Sequence, residues 1–309
     1  MSGKKVMRNL FSGRPVDAVP MLFPIIPLGA KIMQVSTSAI TSDPALAVQC
    51  ALQIKQLLAP QGLVLYDPVT VSLAFGDCLK AGTSIPESAR LAGNISVTLE
   101  TTQRLTATLG KEAAVFAAIP GPAELVRSIA DAGEAEEFLS NQEVMESISK
   151  LLIDLAKEFM ENRVDGFVVV ENQKQFAGTG VKGFYRQFLT TVGNLADYYG
   201  IPLVIYLQGQ NDLDQLPNDF ADLAFKGILF DGSAKDLPNT YQSVGNKVFG
   251  FTVPEEMLTQ MPTGVQEYLE KLTGEIPGRR LMLSVPWMMT EDLSVTHIVG
   301  LNDFVKKAV

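Results

Sequence analysis

The sequence predicts a single (β/α)8 barrel domain spanning residues 1–309. Three observations carry that prediction. The chain holds eight short apolar runs that do not alternate, helix patterns with start signals lie between them, and no composition break separates two halves. Runs of this kind suit strands buried on both faces of a parallel sheet, because neither face meets water.

Taken in order, the runs are 19–23, 62–66, 114–119, 166–170, 202–206, 227–230, 247–251 and 280–284. Ser42, Asp43 and Pro44 supply a cap and a first-turn proline for a helix continuing to Leu58. Residues 141–160 place Val144, Ile148, Leu151, Leu152 and Leu155 on one stripe, which predicts a helix leading into the fourth strand. Another helix is expected over 185–199, closed by Gly200 and Pro202. Two doubly wound lobes are the competing architecture, but the chain lacks the glycine-rich first turn they favour. Residues 80–102 are long for a strand-to-helix connection, and 94–99 read as strand-like. The segment is expected to form a lid, an extra hairpin or a surface excursion.

Composition bounds the chemistry. The chain has 25 Lys and Arg, 34 Asp and Glu, one histidine and two cysteines, for a net charge of -9. His297, Cys50 and Cys78 cannot build an all-cysteine structural zinc site or a three-histidine catalytic one. No metal site is therefore expected. The acidic balance argues against sequence-independent nucleic-acid binding. No apolar run approaches the roughly 18 residues of a membrane helix, and residues 1–11 carry no secretory pattern. Two cysteines without such a signal fit free thiols in the cytoplasm.

In a barrel of this type the active site is expected at the C-terminal strand ends. Reading along those ends gives Asp67, Glu171, Asn172, Gln173, Tyr206, Gln208, Gln210, Asp231, Thr252, Ser284 and Trp287. Asp67, Glu171 and Asp231 place three carboxylates on one mouth, where burial can tune them for acid–base work or for binding an amine. Asp67, Glu171 and Tyr206 are the candidate catalytic residues. Asn172, Gln173, Gln208, Gln210, Asp231, Ser284 and Trp287 are candidates for binding a small-molecule substrate. His297 falls in the last helix pattern and Cys50 inside the helix after Ser42, so both read as structural. Cys78 lies beyond the second strand without a visible activator.

Several stretches resemble landmarks of the uroporphyrinogen decarboxylase superfamily, which includes methylcobalamin:coenzyme M methyltransferase. They are Gly13-Arg14-Pro15-Val16-Asp17-Ala18-Val19-Pro20, Asp43-Pro44-Ala45-Leu46-Ala47, Leu65-Tyr66-Asp67 and Pro120-Gly121-Pro122-Ala123-Glu124-Leu125. Residues 201–206 and 254–258 look like later landmarks in the same order. The resemblance spans nearly the whole chain and implies a (β/α)8 barrel and a homodimer.

Departures from the family patterns are specific. The Arg-rich segment that binds tetrapyrrole carboxylates is replaced by Leu22-Phe23-Pro24-Ile25-Ile26-Pro27-Leu28-Gly29, and the decarboxylases' eighth-strand histidine is absent near Val285. The zinc ligands of the methyltransferase branch are replaced by Tyr206, Gln208 and the stretch Leu283-Ser284-Val285-Pro286. The apolar first loop still resembles that branch more than the Arg-rich one. The resemblance therefore implies a zinc-independent, corrinoid-linked methyltransferase-like enzyme with no tightly bound cofactor. Methylcobalamin or a corrinoid protein would be its co-substrate. A tetrapyrrole decarboxylase and a catalytically lapsed binding protein are the alternatives.

Overall fold

The computed structural model describes residues 1–80, 95–110, 112–172, 182–209, 223–231, 247–259, 263–275, 280–290 and 293–307. Eight parallel strands close into a barrel in sequence order, β1 through β8. They are β1 Met21–Pro24, β2 Gly62–Tyr66, β3 Ala114–Pro120, β4 Gly166–Asn172, β5 Leu203–Gln208, β6 Gly227–Asp231, β7 Val248–Thr252 and β8 Leu281–Ser284. All eight expected runs are strands, shifted by at most a few residues at their ends.

Helices cover the outside, beginning with α1 Gly3–Phe11, α2 Ile25–Met33, α3 Thr37–Ser42, α4 Pro44–Leu58, α5 Pro68–Lys80, α6 Ile95–Leu109, α7 Pro122–Ile129, α8 Ala132–Ser140 and α9 Gln142–Glu161. Asp43 accepts hydrogen bonds from the Ala45 and Leu46 N–H groups at 2.8 and 3.3 Å, and so starts α4, Pro44–Leu58. That satisfies two donors the first helical turn cannot satisfy itself. Asn141 does the same for α9, Gln142–Glu161, whose stripe of Ile148, Leu152, Leu155 and Phe159 is buried.

Side chains alternate between two cores. Outward residues such as Leu63, Val115, Phe167, Ile205 and Phe230 pack under the helices. Inward ones, including Leu22, Val64, Phe116, Val168, Val204, Leu229 and Met282, fill the lumen. The lumen is a packed interior, not a pore. Phe116 takes more than its share, because Gly166 on β4 leaves open the space its ring occupies. The N-terminal helix α1, Gly3–Phe11, closes the bottom by burying Met7 and Leu10 in that same core.

Two expectations need correction. Of the strand-like stretch 94–99, the described residues 95–99 are not a strand: α6, Ile95–Leu109, is a helix that buries Leu99, Thr102, Leu105 and Leu109. Its first residues alternate apolar and polar, but packing over fifteen residues decides the outcome. Of the expected 80–102 excursion, Lys80 ends α5, Pro68–Lys80, and 81–94 lie outside the described residues. The apolar stretch after Phe23 is not a loop either. Helix α2, Ile25–Met33, begins directly after β1 and buries Ile25, Ile26, Leu28 and Gly29. Gly29 packs against Cys50 of α4, where a Cβ would come within 2.6 Å of the cysteine Cβ. Those apolar side chains serve the core. Among the described residues no helix is long and apolar enough to cross a membrane.

Candidate functional site

The C-terminal strand ends carry two groups of polar side chains, sorted by the strand alternation. One lies on the inward side. The Tyr206 hydroxyl donates to Asp231 Oδ1 at 2.8 Å, and the Thr252 hydroxyl donates to Tyr206 Oη at 3.4 Å. Asp231 and Thr252 are register partners across β6 and β7, and Asn172 and Gln208 are partners across β4 and β5. Tyr206 and Thr252 are buried, whereas Asn172, Gln208 and Asp231 are each partly exposed. Burial pushes the Asp231 carboxyl above its ordinary range, while hydrogen bonds from Tyr206, the Gly209 N–H and Thr252 pull it back. Burial, then the nearby Asp231 charge, pushes the Tyr206 phenol well up, so it stays a protonated donor.

Trp287 covers this group. Its ring centroid lies 4.5 Å from that of Tyr206 and 5.5 Å from that of Tyr66, in tilted packing. The indole N–H donates to Ser284 Oγ at 2.9 Å, and Ser284 donates in turn to the Leu22 carbonyl at 2.8 Å. Ser284 is therefore fully buried and positions Trp287, instead of touching a substrate as its strand-end place suggested.

The second group faces outward. Glu171 follows outward Val169 by two residues, so its side chain leaves the lumen and reaches the start of α7, Pro122–Ile129. Glu171 Oε1 accepts from the Ala123 and Glu124 N–H groups at 3.2 and 3.5 Å, and the residue has no exposed surface. Asp67 likewise accepts from the Thr70 N–H at 3.1 Å at the start of α5. The expected trio on one mouth thus divides. Asp67 and Glu171 hold helix N-termini, where orphan donors and the helix dipole favour a carboxylate, and Asp231 alone is an inward strand residue.

Burial, reinforced by Glu124, pushes the Glu171 carboxyl well above its ordinary range. Burial also pushes Asp67 up. Glu171 binds its proton more tightly when folded than when unfolded. Its contribution to stability is complete below the ordinary glutamate value of 4.5 and is lost as pH rises through the raised folded value. Glu171→Gln keeps an acceptor for the helix and never ionises. It is expected to lose less stability than wild type as pH rises from mildly acid to alkaline, measured by thermal unfolding. Parallel pH profiles would mean that Glu171 is ionised in the fold.

Gln173 and Gln210 lie outside the described residues, as does the Cys78 side chain. Cys50 is buried in α4, and His297 sits in the helix Val295–Lys307, away from the strand ends. Strand-end reading assigned no role to Tyr66, Glu124 or Thr252. Thr252 was recoverable from its spacing of four from Val248, which keeps it on the inward side. The residues standing where the zinc ligands of the resembled branch would be do not fit a metal. Tyr206 is committed to Asp231 and Ser284 to Leu22 and Trp287, and among the described residues no group of three acidic, cysteine or histidine side chains could hold an ion.

No protein-family model matches the chain, and no curated protein matches it in sequence. Solved structures do match. One is a methyltransferase from Methanosarcina mazei, at TM-score 0.75 and 16% identity, covering 99% of this chain and 99% of that one. Another is a B12-independent methionine synthase from Shewanella sp. W3-18-1, at TM-score 0.51 and 12% identity, covering 68% of this chain and 64% of that one. At these identities the likeness shows a shared fold, the (β/α)8 barrel.

Proposed function

We infer that the protein is a methyltransferase-like enzyme acting on a small molecule, with Asp231 as its acid–base group. The observation that carries this reading is the partly exposed Asp231 carboxylate, fixed by the Tyr206 hydroxyl at 2.8 Å on the inward side of the mouth. A carboxylate with a raised pKa is a stronger base than a free one, and a base must be held in place to act in a transition state. Asp231 would take the proton from the attacking atom of the acceptor as that atom bonds to the methyl carbon, while the donor's bond to that carbon breaks and its electron pair stays with the donor. Tyr206, kept protonated, and Thr252 hold Asp231 in place. Asn172 and Gln208, side by side and partly exposed, orient the acceptor. A methylated corrinoid, either methylcobalamin or a corrinoid protein, would supply the methyl group as co-substrate. The likeness to the Methanosarcina mazei methyltransferase supports this reading, as does the family resemblance of the sequence. The resemblance also supports a homodimer, and the thiol content a cytoplasmic setting.

The test is turnover. Protein mixed with methylcobalamin and a panel of thiol and amine acceptors should discharge the methylated corrinoid, followed by its visible absorption. No turnover with any acceptor would count against the reading. A lapsed binding protein is the second reading, favoured by Trp287, which is 4% exposed and closes over Tyr206. Corrinoid binding without turnover would establish it.

A further inference from the structure

The opposite end of the barrel carries a surface that catalysis at the mouth leaves unused. Helix α1 forms a ridge there, and two clefts run against it. The first, of about 450 Å³, runs between Lys4, Arg8 and Phe11 on the ridge and Asp197, Tyr199 and Lys226 on the far wall. The second, of about 500 Å³, is lined by Lys5 and Arg14 and shares Lys4 and Arg8 with the first. Two carboxylates line the first cleft among the described residues, and both are paired: Asp165 with Lys4 at 2.7 Å and Asp197 with Lys226 at 3.4 Å; a third, Glu161, accepts from the Tyr199 hydroxyl at 3.3 Å beside it. Lys5, Arg8 and Arg14 are exposed, on a chain whose net charge is -9.

Folding explains only part of this charge: Lys4 is held by Asp165, and Arg8 lies in the last turn of α1, where the helix dipole favours a cation. The first turn of α1 contains no acidic residue, and Lys4 and Lys5 sit in it, where the helix dipole disfavours a cation. Lys4 and Arg8 are four residues apart, and like charges at that spacing repel along a helix face. Met7, Leu10 and, less deeply, Val6 and Phe11 close the barrel bottom, and Lys4 ties the helix to Asp165; Lys5, Arg8 and Arg14 are exposed and could be any hydrophilic residue. A surface that retains an unfavourable charge pattern points to an interaction.

We propose that the α1 ridge and its two clefts dock an acidic surface of a partner polypeptide. Charge complementarity selects an anionic partner, and the cleft walls select a polypeptide. Phe11, Tyr199, Ile201 and Pro202 are partly exposed on the first cleft, and Tyr198, 83% exposed, stacks edge-on against Tyr199 at 5.1 Å. Tyrosine and arginine with apolar neighbours form the usual core of a protein interface. A membrane surface fits less well, because the apolar face of α1 is already buried in the barrel and has nothing to insert. A second copy docked through a two-fold axis would set this cationic ridge against itself.

Fluorescence anisotropy with a labelled poly-glutamate peptide containing tyrosine tests the proposal on the intact chain. Binding is expected to weaken with salt and to fall roughly tenfold or more in Lys5→Glu/Arg8→Gln. Tyr198→Ser should weaken it too, with thermal stability unchanged. Lys5→Glu alone should raise the unfolding midpoint by about one to two degrees while reducing binding, which a purely structural role for Lys5 would not produce. Four results would each overturn the proposal. They are no peptide binding, indifference to these substitutions, tighter binding to a DNA oligonucleotide or anionic vesicles, and self-association lost in the double variant.

Discussion

Asp231→Asn is expected to lower kcat for methyl transfer by about a hundredfold to ten-thousandfold, the usual worth of a positioned acid–base group. The amide keeps the size of the carboxylate and can still accept from Tyr206, so folding should be little affected. What is lost is the proton acceptor. Burial places the Asp231 carboxyl above its ordinary value of 3.8, and the group works as a base only when ionised. The wild-type rate should therefore fall on the acid side with a limb above that value, and the limb should be missing in the variant. KM should change much less than kcat, because Asn172 and Gln208 carry acceptor orientation. A variant with wild-type kcat and an unaltered acid limb would remove Asp231 from the chemistry.

Phe116→Ala should have the largest effect on stability, about 3–5 kcal/mol. Its side chain is fully buried in the lumen, in the space that Gly166 leaves open, and its ring lies 6.1 Å from that of Phe11. Neither neighbour can move in to fill the void: Gly166 has no side chain, and Phe11 belongs to the plug helix. A urea midpoint shifted by less than about 1 kcal/mol, at unchanged slope, would show that the lumen collapses around the loss.

The barrel was legible because each strand needs apolar residues on both faces, and few elements besides a doubly buried strand call for continuous runs such as 166–170 and 202–206. The site was only half legible. Strand ends mark the mouth, but alternation decides which side chains face it, and alternation has no origin until one inward residue is fixed. Glu171 and Asn172 are adjacent in sequence and face opposite ways. Gly166 supplies the origin, since Phe116 fills its empty place in the lumen; counting in twos from it reaches Asn172 and passes over Glu171. Trp287 and Ser284 were found by position, yet their bond to each other depends on a turn after β8 that periodicity does not describe. The segment 94–99 misled because a short β-branched alternation looks the same in a strand and at the start of a helix.

The β1–β8 seam has a consequence for how the protein is made. Ser284 and Leu22, joined across it, are 262 residues apart in sequence. Strand β1 is made before β8 and must wait for it, with one backbone edge unpaired and both faces apolar throughout. Closure is then the slow event in folding, and the half-built sheet is the species most prone to aggregate. Helix α1 cannot seat fully in the lumen until β8 completes it, so a segment that precedes all eight strands is among the last to settle.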